Sequence, residues 1–204
     1  MLDATAPTGI LPIMSAASLM LEIPEIRARI SPITVRQYHE FPEKNENGKR
    51  TELIRGVVIE KMSKSPLHSS ISRRLFGLIQ SALPEHFTLL RDDPLTLADS
   101  EPEPDLAVVR GDEQDFADRH PSTAALVIEV AVTSAAEDRS LASLYAEAGV
   151  QEYWIVLPAR RRVEVYRRPE GGAYRDHSIA EGDATLECTA VPGVRVALGD
   201  LFGK

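Results

Sequence analysis

Two acidic side chains occupy positions in which an unpaired charge is costly. Glu129 stands within residues 125–132, whose seven other residues are all apolar. An uncompensated carboxylate in such a strand costs several kcal/mol or is forced to take up a proton. A metal ion, a basic side chain or a solvent-filled cleft would each compensate it. Asp105, which opens an apolar stretch directly after Pro104, poses a milder form of the same problem, although acids commonly start strands.

These two carboxylates would form a metal site if their strands were neighbours in one sheet. Both side chains could then point into one cleft and offer oxygen ligands to a hard cation such as Mg²⁺ or Mn²⁺. A cation of this kind stabilises the charge that develops when a phosphate is attacked, and it makes water a better nucleophile. We therefore predict that Asp105 and Glu129 are metal ligands and catalytic acids.

Two further residues are weaker candidates for the same site. Glu52 lies in a short apolar strand, where period-two alternation alone favours a solvent-facing position. His68 stands near the start of a long helix and could donate to phosphate or to a metal-bound water, although a lone helical histidine is more often a surface or capping residue. The acidic loop with Asp99, Glu101 and Glu103 is expected to be a solvated run of charge.

The composition restricts the class of protein. A chain of 204 residues, 43% of them hydrophobic, suits one globular domain with at most a short appendage. The net charge of -8 argues against a whole-surface electrostatic grip on nucleic acid and leaves room for a local basic patch. Because Cys188 is the only cysteine, no intramolecular disulfide can form, and a reducing cytoplasm is the expected compartment. No stretch reaches the roughly 18 consecutive apolar residues of a membrane span.

The elements that must position these residues follow an N-terminal arm. Residues 1–33 form this arm, whose apolar stretch 10–23 is either a mobile extension or a packing or dimer-contact segment. The domain, residues 34–204, is predicted to open with a short helix capped by Thr34. Residues 51–60 then have the spacing of a β-hairpin with the two-residue loop Arg55-Gly56.

The rest of the domain alternates helical and strand patterns. Apolar residues recur at helical spacing over residues 67–83, and short strands are expected at 87–90, 95–97 and 105–109. Residues 125–132 read as a central strand covered on both faces. Ser134 and Glu137 have the spacing of a capping box, which predicts one helix up to Gly149, and strands make up most of the remainder. The fold class is therefore mixed α/β or α+β.

Four segments together resemble a known family. They are residues 51–56 (Thr-Glu-Leu-Ile-Arg-Gly), 104–106 (Pro-Asp-Leu), 127–130 (Val-Ile-Glu-Val) and 145–154 (Tyr-Ala-Glu-Ala-Gly-Val-Gln-Glu-Tyr-Trp). They are similar to the Uma2 family, whose bacterial members are described as putative restriction endonucleases of the PD-(D/E)xK nuclease superfamily. The resemblance implies a restriction-endonuclease-like fold, in which helices flank a mixed central sheet with acids at one end. It also implies that Glu52, Asp105 and Glu129 are metal-binding acids, and it favours a role for His68.

The chain departs from this family at one position of chemical weight. Two residues after Glu129 the superfamily motif places a lysine, and this chain has Ala131. In the family the lysine is usually found on the following helix, four residues before the tyrosine that matches Tyr145, and that position is Leu141 here. A lysine positions the attacking water and adds positive charge near the phosphate, so its loss should weaken catalysis. Lys61 and Lys64 could reach the cleft from another side.

Three hypotheses follow from these residues. The first is a metal-dependent endonuclease that hydrolyses phosphodiester bonds, most readily of DNA, with Mg²⁺ or Mn²⁺ at Asp105 and Glu129. The second is a non-catalytic nuclease fold that serves as a binding or regulatory module. The third is a homodimeric interaction protein whose acids are satisfied by arginines. A homodimer is expected in each case, from the exposed final strands and the apolar N-terminal arm.

Overall fold

The computed structural model describes residues 22–42, 45–46 and 48–203 of the chain. The chain divides into two compact units, Met1–Pro32 and Ile33–Lys204. In the first unit the described part contains helix α1 (Pro24–Arg27), and the predicted apolar stretch lies, up to residue 21, outside the described residues. None of the described helices has the length and apolarity that a bilayer crossing needs.

The second unit opens with a short helix and the predicted hairpin. Helix α2 (Val35–Tyr38) is capped by Thr34, as predicted, and the Thr34 hydroxyl accepts from the Gln37 N–H as part of a capping box. Strands β1 (Thr51–Ile54) and β2 (Val57–Glu60) form the hairpin. Arg55 and Gly56 both have positive φ, of 52° and 73°, which is the requirement of a two-residue type I′ turn.

A six-stranded mixed sheet forms the centre of this unit. Helix α3 (Pro66–Gln80) is followed in the chain by β3 (Phe87–Leu90), β4 (Leu106–Arg110), β5 (Leu126–Val130), β6 (Glu152–Leu157), β7 (Arg162–Glu170) and β8 (Ala173–Glu181). Within the described residues the strands lie side by side in chain order. All neighbouring pairs of this sheet are antiparallel except β5 and β6, which are parallel.

Two short helices make the crossover between the parallel strands. They are α4 (Ala135–Ser140) and α5 (Ala142–Glu147), and the predicted single helix from Ser134 is therefore wrong. The helical hydrogen-bond pattern is interrupted at Leu141, whose backbone N–H is shared between the carbonyls of Glu137 and Asp138. The capping box is also wrong, because the Ser134 hydroxyl donates to the Asp138 carboxylate and not to the helix end.

The remaining elements are short. A 3₁₀ turn (Glu113–Phe116) follows β4, and another (Pro158–Arg160) joins β6 to β7. Strands β9 (Thr185–Glu187) and β10 (Arg195–Ala197) form a separate two-stranded sheet, and α6 (Leu198–Phe202) ends the described chain. The predicted strand at residues 95–97 is absent from the described structure, because Leu95 and Leu97 bond within the loop, to the carbonyls of Pro102 and Ser100.

The two faces of the central sheet bury different side chains. One face packs against α3 and β9–β10 and holds Trp154 together with the aliphatic residues Leu126 and Ile128 of β5. The other face packs against α4 and α5 and holds a row of tyrosines. In this tyrosine row the ring centroids of Tyr145 and Tyr153 lie 4.9 Å apart, and those of Tyr153 and Tyr166 lie 5.7 Å apart. Both faces of β5 are thus covered, as its continuous apolar pattern predicts.

Shortening a side chain of the central strand should show how much the stability of the sheet depends on this burial. Ile128→Ala removes a fully buried side chain and should lower the free energy of unfolding by about 2–5 kcal/mol. Ile179→Ala makes the same chemical change on β8, where the side chain is 47% exposed, and should change it by less than about 0.5 kcal/mol. Urea denaturation of both variants measures the difference, and equal losses would contradict the assigned centre of the core.

Candidate functional site

The register of β4 and β5 brings the two predicted acids together. Leu106 pairs with Ile128 in the antiparallel ladder, so Asp105 and Glu129 stand opposite each other one step further along. Side chains alternate along a strand, and the neighbours Ala107 and Val127 belong to the tyrosine face. Asp105 and Glu129 therefore share that face. The Asp105 N–H donates to the Glu129 Oε2 over 3.2 Å, which joins the two residues directly.

Asp105 is buried and compensated by three donors from different elements. Its Oδ2 accepts from the Val130 N–H at 2.7 Å and lies 2.9 Å from the His68 Nε2, while its Oδ1 accepts from the Lys64 Nζ at 2.7 Å. Burial alone would raise the pKa of Asp105. The bond to His68 and the charge of Lys64 outweigh burial, and the pKa lies below its ordinary value. Asp105 is thus held in the ionised form.

Glu129 has the opposite electrostatics. Burial first, and then the charges of Asp105 and Asp138, raise its pKa well above the ordinary value, and Lys61 counteracts this only in part. The Tyr145 hydroxyl donates to the Glu129 Oε1 at 3.1 Å. Within the described residues no cationic nitrogen lies in salt-bridge range of this carboxylate. Glu129 is therefore the acid of the pair that lacks a compensating cation.

Glu52 reaches the same region from the hairpin. Its side chain is only 16% exposed, so the solvent-facing position that alternation favours is wrong. Its Oε2 accepts from the Glu103 N–H at 3.3 Å and lies 3.5 Å from the Lys61 Nζ. The Lys61 Nζ also donates to the Glu103 carbonyl at 2.8 Å. Glu52 thus contacts the segment that leads into Asp105, which places the hairpin beside the acid pair.

The acidic loop before β4 is packed under the hairpin and is not a solvated run. Glu101 is buried, its carboxylate is contacted by His39 and Thr96, and its backbone pairs with Leu53 of β1. The Glu103 side chain is 10% exposed and is paired with Arg50 at 2.7 Å. Asp99, by contrast, is about half exposed, as expected for a loop acid. Glu101 and Glu103 therefore anchor the hairpin beside the site.

Asp138 is absent from the candidates that the sequence suggests, and Lys64 is among them only as a cation that could reach the cleft. Asp138 on α4 is buried, and burial together with the charges of Asp105, Glu137 and Glu52 raises its pKa to about 6, although the Ser134 hydroxyl bond acts against this. Asp138 precedes Leu141 by three residues and Tyr145 by seven, and this helical spacing could have predicted that its side chain is buried. Lys64 had a weaker signal, because it lies in an irregular connection before α3 whose direction no periodicity specifies.

The two positions at which the resemblance leads us to expect a lysine, one after Glu129 and one on the following helix, are filled by packing residues. Ala131 is buried, and Leu141 is half-buried against the tyrosine face. Arg139, the nearest cation on α4, forms a two-pronged bond with Glu164 of β7, at 2.7 and 2.8 Å, and so points away from the acids. The lysines beside the acids are Lys64, whose Nζ contacts Asp105, and Lys61, whose Nζ lies 3.5 Å from Glu52.

A divalent cation fits Asp105 and Glu129 by the chemistry of their donors. Both offer carboxylate oxygens, the ligand type that Mg²⁺ and Mn²⁺ prefer, and their mutual repulsion contributes to the raised pKa of Glu129. Within the described residues no three His, Cys, Asp or Glu side chains converge in metal-binding geometry. The site that the side chains offer is thus a pair of carboxylates, with Glu52 at its border and held by Lys61.

Comparison with known proteins assigns the chain to a family. The model of the Uma2 family, described as putative restriction endonuclease, matches residues 35–199. The chain therefore belongs to the Uma2 family. Among solved structures, a putative nuclease belonging to DUF820 from Anabaena variabilis ATCC 29413 is similar, with a TM-score of 0.71 and 22% identity over 84% of this chain and 98% of that one. The fold is shared with that protein. No curated protein matches the chain significantly.

The raised pKa of Asp138 predicts a pH-dependent stability. The folded state holds a proton on Asp138 up to about pH 6, whereas the ordinary value is 3.8, so wild-type stability falls as the pH rises through this window. Asp138→Asn keeps an acceptor for Ser134 and removes the charge. The variant should gain about 2 kcal/mol over wild type between pH 4 and pH 7, measured by urea denaturation.

The matched control for this prediction is Asp183→Asn, which changes an exposed loop acid. Its stability relative to wild type should not change across the same pH range. A difference between Asp138→Asn and wild type that is independent of pH would show that Asp138 is not held protonated in the folded protein.

Proposed function

We propose that the protein is a metal-dependent nuclease that hydrolyses phosphodiester bonds of DNA. The observation that supports this most directly is the placement of Asp105 and Glu129 on one face of neighbouring strands, with Lys61 and Lys64 beside them. The description of the Uma2 family as putative restriction endonucleases, and that of the structural neighbour as a putative nuclease, give independent support.

In this proposal Asp105 and Glu129 hold the cation, Mg²⁺ or Mn²⁺, and Glu52 assists from the hairpin. A divalent cation supplies Lewis acidity, which offsets charge on the attacked phosphate and makes water a better nucleophile near neutral pH. Asp105 is ready for this role because the Val130 N–H fixes its Oδ2 and its pKa is lowered. Tyr145 orients Glu129 by donating to its Oε1.

In this proposal Lys61, Lys64 and His68 stabilise the charge of the phosphate that is attacked. Burial lowers the pKa of Lys64, but the charge and hydrogen bond of Asp105 outweigh burial and raise it overall, so the ammonium stays charged. Fixed positive charge near a phosphate stabilises the charge that develops during attack. His68 is held by Asp105 through Nε2 and lies near the phosphate. Hydrolysis joins the oxygen of water to phosphorus, breaks the bond to one ester oxygen and returns a proton to that oxygen.

Neutralising either acid should abolish cleavage without unfolding the protein. Asp105→Asn and Glu129→Gln should each lower the rate of plasmid cleavage with Mn²⁺ by about 100-fold or more, because each removes a charged ligand. Calorimetry should show that both variants lose Mn²⁺ binding. Glu170→Gln, an exposed acid paired with Arg175 on the far hairpin, should retain both properties. Wild-type protein that binds no Mn²⁺ at millimolar concentration would contradict the proposal.

A second candidate function is a nuclease fold retained as a binding or regulatory module. Ala131 and Leu141, which fill the two lysine positions with packing residues, favour it. The module would leave plasmid, nicked and single-stranded DNA intact over prolonged incubation. The third hypothesis requires arginines that are paired with Asp105 and Glu129. In the described residues the arginines that form ion pairs do so with other acids, as Arg139 does with Glu164. Homodimerisation stays a prediction in all cases.

The variant Leu141→Lys distinguishes a nuclease that uses Lys61 and Lys64 from a non-catalytic module that lacks the catalytic lysine. If the two lysines suffice, the variant should cleave plasmid within about threefold of wild type, because a long side chain at this half-buried position adds charge where charge is already present. Ile179→Lys, the same kind of change on exposed β8, is the control. Inert wild-type protein that gains cleavage only in Leu141→Lys would favour the module.

A further inference from the structure

A small cavity adjoins the acid site on the side of α3. Its volume is about 170 Å³, and it is lined by Lys64, His68, Ser69, Ser72, Arg73, Arg91 and Asp92. Lys64 and His68 are the residues that contact the Asp105 carboxylate, so the cavity and the acid site share a wall. Whatever occupies this cavity therefore lies beside the group at Asp105 and Glu129.

The lining of this cavity is strongly basic for an acidic chain. Three of its residues are cationic and one is acidic, whereas the whole chain has a net charge of -8. Asp92 is paired with Lys64. In the described residues neither Arg73 nor Arg91 forms an ion pair with a carboxylate, and the Arg91 guanidinium lies 5.3 Å from the centroid of the Phe76 ring. Two guanidinium groups thus remain for an anion.

His68 carries a polar atom that the protein itself leaves without a partner. Its Nε2 contacts Asp105, and its Nδ1 is buried with no hydrogen-bond partner among the described residues. A buried polar atom without a partner is costly and rare in native proteins, so such an atom calls for an explanation. His68 therefore brings a buried and incompletely satisfied ring to the wall that the cavity shares with the acid site.

We propose that this cavity is a phosphate-binding subsite for the nucleic-acid backbone, formed chiefly by Arg73 and Arg91. The proposal rests on the nuclease function for the identity of the ligand. Guanidinium groups match phosphate oxygens in planar two-pronged geometry, and the hydroxyls of Ser69 and Ser72 add neutral donors. The volume of about 170 Å³ suits a phosphate group.

This subsite would hold the phosphate next to the one that is attacked. Lys64 stands between the cavity and Asp105, so two neighbouring phosphates of one strand would lie on its two sides. Contacts to phosphates position a nucleic acid without reading its sequence. The subsite therefore sets where the strand lies on the acid pair, and the specificity of cleavage would come from elsewhere.

Binding of inorganic phosphate to the metal-free protein tests the subsite without any cleavage assay. The double variant Arg73→Gln/Arg91→Gln should weaken phosphate binding by about tenfold or more in calorimetry, since two charge-assisted contacts are lost. Arg175→Gln, an exposed arginine paired with Glu170 on β8, should bind as wild type does. Arg91→Lys, which preserves the charge, should bind more tightly than Arg91→Gln. Equal binding by wild type and the double variant would overturn the subsite.

A second arm distinguishes backbone phosphate from free phosphate. Fluorescence anisotropy with a short single-stranded oligodeoxynucleotide in EDTA should show weaker binding by the double variant, and a salt dependence reduced by about one phosphate contact for each arginine. Phosphate binding that depends on Arg73 and Arg91, combined with unchanged DNA binding, would overturn the assignment to the strand. If both arms succeed and plasmid remains uncut with Mn²⁺, the subsite stands and the nuclease proposal fails alone.

Discussion

The structure around the site depends on the compensation of one buried charge, the carboxylate of Asp105. A buried charge must be compensated by hydrogen bonds and counter-charges, or folding is penalised by several kcal/mol. Here the compensation comes from the backbone of β5, from the connection after the hairpin and from helix α3, through Val130, Lys64 and His68. Satisfying one side chain thus fixes three elements against each other, and the edge at which they meet is where the chemistry is proposed.

The two acids of the pair illustrate how neighbours on one sheet acquire different properties. Asp105 has a lowered pKa because the bond to His68 and the charge of Lys64 outweigh its burial, whereas Glu129 has a raised pKa because it is buried and faces other acids. Pairs of titratable groups whose surroundings separate their pKa values are typical of catalytic sites. The difference arises mainly from Lys64 and His68, which contact Asp105 and do not contact Glu129.

The sequence was sufficient for the strands of the acid pair and insufficient for what surrounds it. Glu129 interrupts one apolar strand and Asp105 precedes another, but only the structure shows that these two strands are neighbours. Lys64 and Glu101 lie in irregular segments, where no periodicity specifies direction, and only the docking of the hairpin on the acidic loop determines that Glu101 is buried. The interruption of the crossover helix at Leu141 was hidden for a related reason, since the apolar stripe there is compatible with one helix or two.

The partition of aromatic residues between the two sheet faces gives the molecule two separate optical reporters. Trp154, the single tryptophan of the chain, lies on the aliphatic face, whereas Tyr145, Tyr153, Tyr166 and Tyr174 lie on the opposite one. Indole emission therefore senses one half of the interior, and phenolic absorbance senses mainly the other, where four of the five tyrosines lie. Coincident melting of both signals would demonstrate that the two halves unfold as one cooperative unit, and separate transitions would reveal a partly folded intermediate.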